Sequence, residues 1–241
     1  MSGHSKWATI KRKKAALDSK RGKMFTKLIK EITIAARQGG GDVNGNPRLR
    51  LAVDNAKGAN MPMDNIERAI KKATGELEGV SYVELMYEGY GPSGVAILVE
   101  AATDNKNRTV AEVRHLFSKG GGSIGESGSV AWMFDRKGVI TVQKENYSED
   151  DVMELIIEAG ADDLQKEDDF FEITTSLENF ETVRKAIVDK GMNIDNASLQ
   201  WIAKNTITVG GEDAEKVMKL IEGLEDNDDV QNVYSNADIA E

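Results

Sequence analysis

The sequence predicts an α+β multidomain protein: an N-terminal three-helix domain, then two ferredoxin-like α+β domains, one inserted in the other. Apolar residues recur at helical spacing in residues 1–79, and extended segments alternate with helices from about residue 80. The order within 136–204 is strand, helix, strand, strand, helix, strand, which is the split βαβ arrangement of a ferredoxin-like domain. Residues 205–241 form too small a unit to be stable alone, so we expect them to complete a discontinuous domain with 80–135.

Each N-terminal helix has an apolar face and a recognisable boundary. The first has one apolar stripe and ends at three consecutive glycines, residues 39–41. The second begins at Asn46, an N-cap residue followed by Pro47, and the third begins near Pro62 or at a capping box opened by Asp64. The stripe of the first helix consists of Phe25, Leu28, Ile29, Ile32 and Ala36.

Three local features of the following domain also carry predictions. Thr109 opens a capping-box pattern, which predicts the start of a helix there. Residues 120–128 are rich in glycine, and we expect a mobile loop that contacts a partner. Residues 130–134 then continue as a strand.

Charge is distributed very unevenly along the chain. The net charge is −10 over 241 residues, yet residues 1–30 hold ten basic side chains and one acidic, a net +9. Residues 80–241 hold 14 basic and 33 acidic side chains, a net −19. One end therefore attracts a polyanion while the remainder repels it, which predicts nucleic-acid binding in one orientation.

Residues 1–30, which we call the basic segment, supply the candidate contact residues. Four of its lysines follow a helical period on the side of the first helix opposite the apolar stripe, which predicts an exposed lysine ridge. Trp7 can either stack on an unpaired base or dock the segment onto the helices, and both interpretations stay open. The predicted nucleic-acid-binding residues are Lys6, Trp7, Lys11, Arg12, Lys13, Lys14, Lys20, Arg21, Lys23, Lys27 and Lys30.

Several classes of function lack support in the sequence. The chain has no cysteine, which excludes disulfides and thiol chemistry, and it has no secretory signal or membrane-spanning run. Neither His4 nor His115 has a partner at metal-ligand spacing, and no catalytic signature stands out. We expect a cytoplasmic non-enzyme with no cofactor, metal, membrane or small-molecule substrate.

Several of these segments are similar to one known family. The chain resembles the YebC-type proteins, and the resemblance implies a helical N-terminal domain followed by two α+β domains, one inserted in the other. Members are classed as DNA-binding transcriptional regulators, and relatives, among them a mitochondrial translational activator, act on the ribosome. The matching motifs are Gly3-His4-Ser5-Lys6-Trp7, Lys20-Arg21-Gly22-Lys23 with Phe25-Thr26-Lys27-Leu28, Asn46-Pro47-Arg48-Leu49, Tyr87-Glu88-Gly89-Tyr90-Gly91-Pro92, Asp104-Asn105-Lys106-Asn107-Arg108-Thr109, and Leu224-Glu225-Asp226 followed by Asp228-Asp229-Val230-Gln231.

Three functions therefore stay open. The first is a DNA-binding transcriptional regulator, which the family's usual classification favours. The second is a ribosome-associated translation factor that binds rRNA or tRNA through the basic segment, because structured RNA is recognised by shape, phosphates and stacked bases. The third is a protein-interaction module in which the basic segment has no role.

Overall fold

The computed structural model describes residues 18–144, 147–167 and 169–240, with side chains described from residue 21 onwards. The helices are α1 (Asp18–Gly39), α2 (Pro47–Gly58), α3 (Met63–Thr74), α4 (Lys106–Lys119), α5 (Glu149–Glu158), α6 (Phe180–Asp189) and α7 (Gly211–Glu225). The strands are β1 (Val83–Tyr90), β2 (Ala96–Thr103), β3 (Ser123–Ile124), β4 (Phe134–Gln143), β5 (Asp163–Lys166), β6 (Phe170–Thr175), β7 (Ile194–Ala203), β8 (Ile207–Val209), β9 (Val230–Ser235) and β10 (Ala237–Ile239).

These elements form two compact units. The first comprises the described residues up to Asp135 and those from Ile202 onwards, and the second is Arg136–Trp201, inserted between them. Throughout the described residues, no helix has the length and hydropathy needed to cross a membrane.

The first unit begins with the three predicted helices. Their apolar stripes meet in one core, in which Ile32, Leu49, Val53 and Ile66 are almost completely buried. The prediction for the start of α2 is confirmed, because the Asn46 side chain accepts a hydrogen bond from the backbone N–H of Leu49.

The rest of the first unit is a sheet covered by two helices. Its strand order is β3-β1-β2-β9, with antiparallel neighbours, and β8 and β10 form a separate parallel pair. Phe117 of α4 and Ile221 of α7 pack with Ile97 and Val99 of β2 in one buried cluster. Apolar burial against one face of the sheet is the main stabilising term here.

The second unit has the predicted order of elements. Its strands are arranged β5-β6-β4-β7, and β6 is antiparallel to both β5 and β4. This is the ferredoxin-like strand order, with α5 and α6 as the two connecting helices. Together with three N-terminal helices and two sheet-and-helix parts, it confirms the predicted fold class. The predicted boundaries at residues 79 and 204 stay predictions.

Two predictions about boundaries of elements are wrong, and a third is decided between its two alternatives. The N-cap of α3 is Pro62, which confirms a start near that residue, and no side chain supplies a capping bond, so Asp64 does not open a capping box. The cap of α4 is Asn105, and Thr109 lies inside the helix with its hydroxyl buried. Residues 131–133 form a 3₁₀ turn, so β4 begins only at Phe134.

Candidate nucleic-acid interface

The predicted lysine ridge lies against another part of the first unit. Lys23 Nζ donates to the backbone oxygen of Asp226 at 2.9 Å, and Lys27 Nζ donates to that of Glu225 at 2.9 Å. Lys30 Nζ donates to the backbone oxygen of Asp228 at 2.8 Å. All three acceptors belong to residues 225–229, which we call the α7–β9 turn.

The position of this turn explains why lysines bind there. The last carbonyl groups of a helix have no partner within the helix and carry the negative end of its dipole. Three ammonium groups, spaced along one side of α1, hydrogen-bond carbonyls at and just beyond the end of α7. The ridge therefore joins the basic helix to the acidic C-terminal part of the same unit.

Asp229 is the centre of this contact. Its carboxylate accepts hydrogen bonds from Lys30 Nζ at 2.9 Å, Arg108 Nη2 at 2.7 Å, Thr109 Oγ1 at 2.8 Å and Thr103 Oγ1 at 3.1 Å. Burial by itself raises the pKa of Asp229, but the hydrogen bonds from Arg108, Lys30 and Thr109 outweigh it and lower the pKa to about 2. The carboxylate is therefore ionised at neutral pH and fully partnered.

The expectation of a ridge exposed along its whole length is wrong at Lys30. That side chain is buried, because its ammonium lies between the Asp229 carboxylate and the backbone oxygen of Ala102. Lys27 is half-buried, and Lys23 is exposed. Sequence periodicity identified the face correctly, but it could not show that this face contacts protein carbonyls.

The other predicted contact residues are placed as follows. Arg21 is exposed, with its guanidinium 5.4 Å from the centre of the Phe25 ring. Lys20 lies in α1, and its side chain is outside the described part. The nucleic-acid-binding roles of all these residues stay predictions. Outside the described residues lie Lys6, Trp7, Lys11, Arg12, Lys13 and Lys14.

A second charged residue joins three elements of the same unit. Arg48 of α2 donates two hydrogen bonds to the Glu31 carboxylate of α1, at 2.8 and 3.1 Å. It also donates to Glu84 of β1 at 2.6 Å. Burial lowers the pKa of Arg48, but its hydrogen bonds with Glu31 and Glu84 raise it above the ordinary value. This motif arginine therefore has a structural role.

The glycine-rich loop is held by one carboxylate. Glu88 accepts hydrogen bonds from the backbone N–H groups of Gly128 at 2.6 Å, and of Val130 and Ala131 at 2.8 Å each. Burial raises the pKa of Glu88, but these three donors outweigh it and keep the pKa below its ordinary value. Glu88 therefore anchors the end of the loop, and the expectation that residues 120–128 are mobile and contact a partner stays a prediction.

One exposed aromatic residue at the end of this loop was not predicted from the sequence. The side chain of Trp132 is 64% exposed, and its Nε1 donates to the backbone oxygen of Ser129 at 3.1 Å. Residues 130–134 were predicted to form a strand, and Trp132 was not singled out among them. The 3₁₀ turn that precedes β4 turns this side chain outwards instead.

No group of residues suggests a metal centre in the part of the chain that the structure describes. There, no three His, Asp or Glu side chains lie close enough together to hold a metal ion. His115 is exposed on α4.

The fold and the charges define a multidomain α+β protein in which a basic N-terminal segment precedes two acidic domains. Residues 5–76 match the family model described as the TACO1/YebC protein N-terminal domain. Residues 82–237 match the model described as the TACO1/YebC second and third domain. The chain belongs to the TACO1/YebC family.

Similar proteins extend over nearly the whole chain. A "probable transcriptional regulatory protein" of Chlorobaculum tepidum is 60% identical over 242 aligned residues, which cover 100% of this chain and 96% of that protein. A protein of Desulforapulum autotrophicum with the same description is 59% identical, covering 99% of this chain and 97% of its own length. The crystal structure of a "conserved hypothetical protein" of Aquifex aeolicus has a TM-score of 0.88 and 48% identity, covering 95% of this chain and 94% of that one.

Proposed function

We propose that this protein is a nucleic-acid-binding regulator of gene expression that contacts its target through the basic N-terminal segment. One observation carries the proposal: residues 1–30 have a net charge of +9, while residues 80–241 have −19. Lysine and arginine side chains that neutralise phosphates supply most of the non-specific affinity for nucleic acid. The acidic remainder would repel the same ligand and so orient the protein on it.

The contacts of α1 indicate which lysines would bind phosphate. Lys27 and Lys30 hydrogen-bond the α7–β9 turn, so they would hold α1 in place and leave phosphate contact to others. Lys6, Lys11, Arg12, Lys13 and Lys14 precede α1 in the sequence. Lys23 is exposed, but it also donates to Asp226. We therefore assign the main phosphate contacts to the five basic residues of positions 6–14.

Duplex DNA is the first candidate target. It is supported by the names of relatives at about 60% identity, which are described as probable transcriptional regulatory proteins. In this case the protein would bind DNA and regulate transcription.

Structured RNA on the ribosome is the second candidate target. A helix that enters the major groove of DNA usually presents its N-terminal residues to the bases. The first turns of α3, which follows α2 after a short connection, expose Asp64 and Glu67 instead. Their carboxylates would be repelled by the flanking phosphates, which favours a translation factor that binds rRNA or tRNA.

Co-sedimentation distinguishes the two targets. Ribosomes are pelleted from lysate with the protein, with and without excess duplex DNA. The test variant replaces Lys11, Arg12, Lys13 and Lys14 by alanine. The control variant replaces Lys57, Arg68, Lys71 and Lys72, four exposed basic residues of α2 and α3, and so removes the same charge.

Each result has one meaning. Pelleting that survives the DNA and is lost only in the test variant supports the translation factor. Release of the protein from ribosomes by DNA supports the DNA-bound regulator. So does an absence of pelleting, provided that the protein shifts duplex DNA in a gel and only the test variant loses this shift. If the test variant binds ribosomes and DNA as well as the control variant does, the role of the basic segment is contradicted.

A further inference from the structure

Trp132 is a large aromatic side chain left in solvent. At 64%, its exposure exceeds that of Met86, an exposed apolar residue of β1, which is 40% exposed. Burial of an aromatic ring is strongly favourable, and exposed tryptophans concentrate in binding surfaces. Its position therefore calls for an explanation other than core packing.

The indole is held in one orientation by the loop beneath it. Trp132 Nε1 donates to the backbone oxygen of Ser129, which also accepts a hydrogen bond from the Tyr90 hydroxyl at 3.0 Å. Glu88 fixes the backbone on either side of Ser129 through the N–H groups of Gly128 and Val130. A ring that is oriented in advance loses little conformational entropy when a ligand binds to it.

The composition of the chain segment around Trp132 favours a base as the ligand. Interface tryptophans that anchor protein partners normally lie within an apolar patch that excludes water. Within residues 120–144, Trp132 is the only large apolar side chain that is exposed, and the preceding loop residues 125–129 are glycines, serines and one glutamate. A nucleic-acid base needs only the face of one ring.

A cation lies next to this turn. Lys204 Nζ donates to the backbone oxygen of Trp132 at 2.9 Å and pairs with Asp135 Oδ1 at 3.3 Å. The Lys204 side chain is 45% exposed, so its ammonium can also approach a phosphate. Aromatic faces that stack on bases, combined with cations for the backbone, are typical of single-strand binding.

We propose that Trp132 stacks on an unpaired base of the bound nucleic acid. The inference rests on the proposed function and adds that the ligand presents single-stranded bases, because paired bases within a duplex have no free face. The basic segment provides affinity for the phosphates of any nucleic acid, and Trp132 selects ligands with an accessible base.

Fluorescence anisotropy with the full chain tests this selection. The probes are a labelled oligouridylate and a fully paired RNA duplex of the same length. We expect Trp132→Ala to weaken binding of the single strand by about 5- to 100-fold, the usual effect of losing one stacked base, and to leave duplex binding unchanged. Trp132→Phe should retain much of the affinity, and the control Met86→Ala should bind both probes as the wild type does.

Tryptophan fluorescence gives a second measurement. The chain has three tryptophans, so Trp7→Phe with Trp201→Phe leaves Trp132 as the only one. Stacking should quench its emission along the same binding curve as the anisotropy measured with this double variant. Circular dichroism of each variant confirms that the fold is retained.

The outcomes separate the two proposals. If the wild type binds the single strand and Trp132→Ala binds it equally well, or weakens both probes equally, the stacking inference is overturned while the proposed function stands. The same holds if the wild type binds only the duplex. Binding of duplex DNA alone, seen in the gel shift, likewise overturns only the stacking inference. If the wild type binds neither RNA probe and does not shift duplex DNA, the proposed function itself has failed.

Discussion

The Nζ atom of Lys30 lies 2.9 Å from Oδ1 of Asp229, and both side chains are buried. The two residues are 199 positions apart, so this contact joins the N-terminal helix to the C-terminal part of the first unit. Arg108 pairs with the other oxygen of the same carboxylate at 2.7 Å. The basic helix is therefore attached to this part by buried charge, whereas its apolar stripe packs against α2 and α3.

Replacing Lys30 by methionine should strongly destabilise the first unit. The change leaves the buried Asp229 carboxylate with one cationic partner fewer, which we expect to lower the free energy of unfolding by about 3 kcal/mol. Urea unfolding followed by circular dichroism measures the loss. The matched control is Lys23→Met. Lys23 pairs with Asp226, and the two side chains are 45% and 67% exposed, so its loss should lower the free energy of unfolding by less than about 1 kcal/mol. Equal losses in both variants would show that the buried pair of Lys30 and Asp229 stabilises the unit no more than the exposed pair does.

Asp229 also predicts a dependence of stability on pH. Because its pKa is lowered to about 2 in the folded state, its stabilising contribution is complete above its unfolded pKa. The contribution is lost as the pH falls from about 4 to about 2, and it amounts to about 2 kcal/mol. The stability difference between wild type and Asp229→Asn should therefore narrow over this range. A difference that stays constant from neutral pH downwards would be inconsistent with an ionised Asp229.

The fold was largely predictable because its signals are local. Apolar stripes and the Asn46 cap identified the N-terminal helices, and the alternation of strands and helices identified the inserted ferredoxin-like unit. Thr109 shows what local sequence signals cannot predict. Its capping-box pattern was real, but Asn105 caps α4 and the Thr109 hydroxyl binds Asp229, 120 positions away. Such a long-range contact leaves no trace in local spacing.

Glu88 should determine the order of the glycine-rich loop. Glutamine keeps the size but offers only one acceptor oxygen, so at least one of the three N–H groups loses its partner. We expect a loss of about 1–3 kcal/mol in the free energy of unfolding for Glu88→Gln. Amide hydrogen exchange at Gly128, Val130 and Ala131 should accelerate. The exposed control is Glu126→Gln. If Glu88→Gln exchanges these amides at the wild-type rate, or if the control accelerates them equally, Glu88 does not hold the loop.

Gly22 offers a stabilising substitution in α1. A Cβ atom there would meet no other atom within 4 Å, and alanine costs less conformational entropy in a helix than glycine does. Gly22→Ala should therefore raise the free energy of unfolding by about 0.5–1 kcal/mol, seen as a higher thermal midpoint. Gly39→Ala should do the opposite, because its Cβ would lie 2.6 Å from Nδ2 of the buried Asn46. A lower midpoint for Gly22→Ala would mean that this glycine has another role.

The candidate site was less predictable than the fold. Charge counting identified the basic N-terminal segment, yet it cannot distinguish a lysine that binds phosphate from one that binds a backbone carbonyl. Lys30 belongs to the second kind, because it donates to the backbone oxygens of Ala102 and Asp228 as well as to the Asp229 carboxylate. Trp132 was missed because the 3₁₀ turn that exposes it resembles a strand in sequence.

The salt dependence of nucleic-acid binding tests most directly whether the basic segment binds the phosphates. It is measured for the wild type and for the variant in which alanine replaces Lys11, Arg12, Lys13 and Lys14. Each duplex phosphate contact contributes about −0.9 to the slope of log affinity against log salt. We predict a steep slope for the wild type and a slope shallower by about 3.6 in the variant, with weaker binding to every sequence tested. Identical slopes for the two proteins would contradict the claim that the basic segment binds the phosphates.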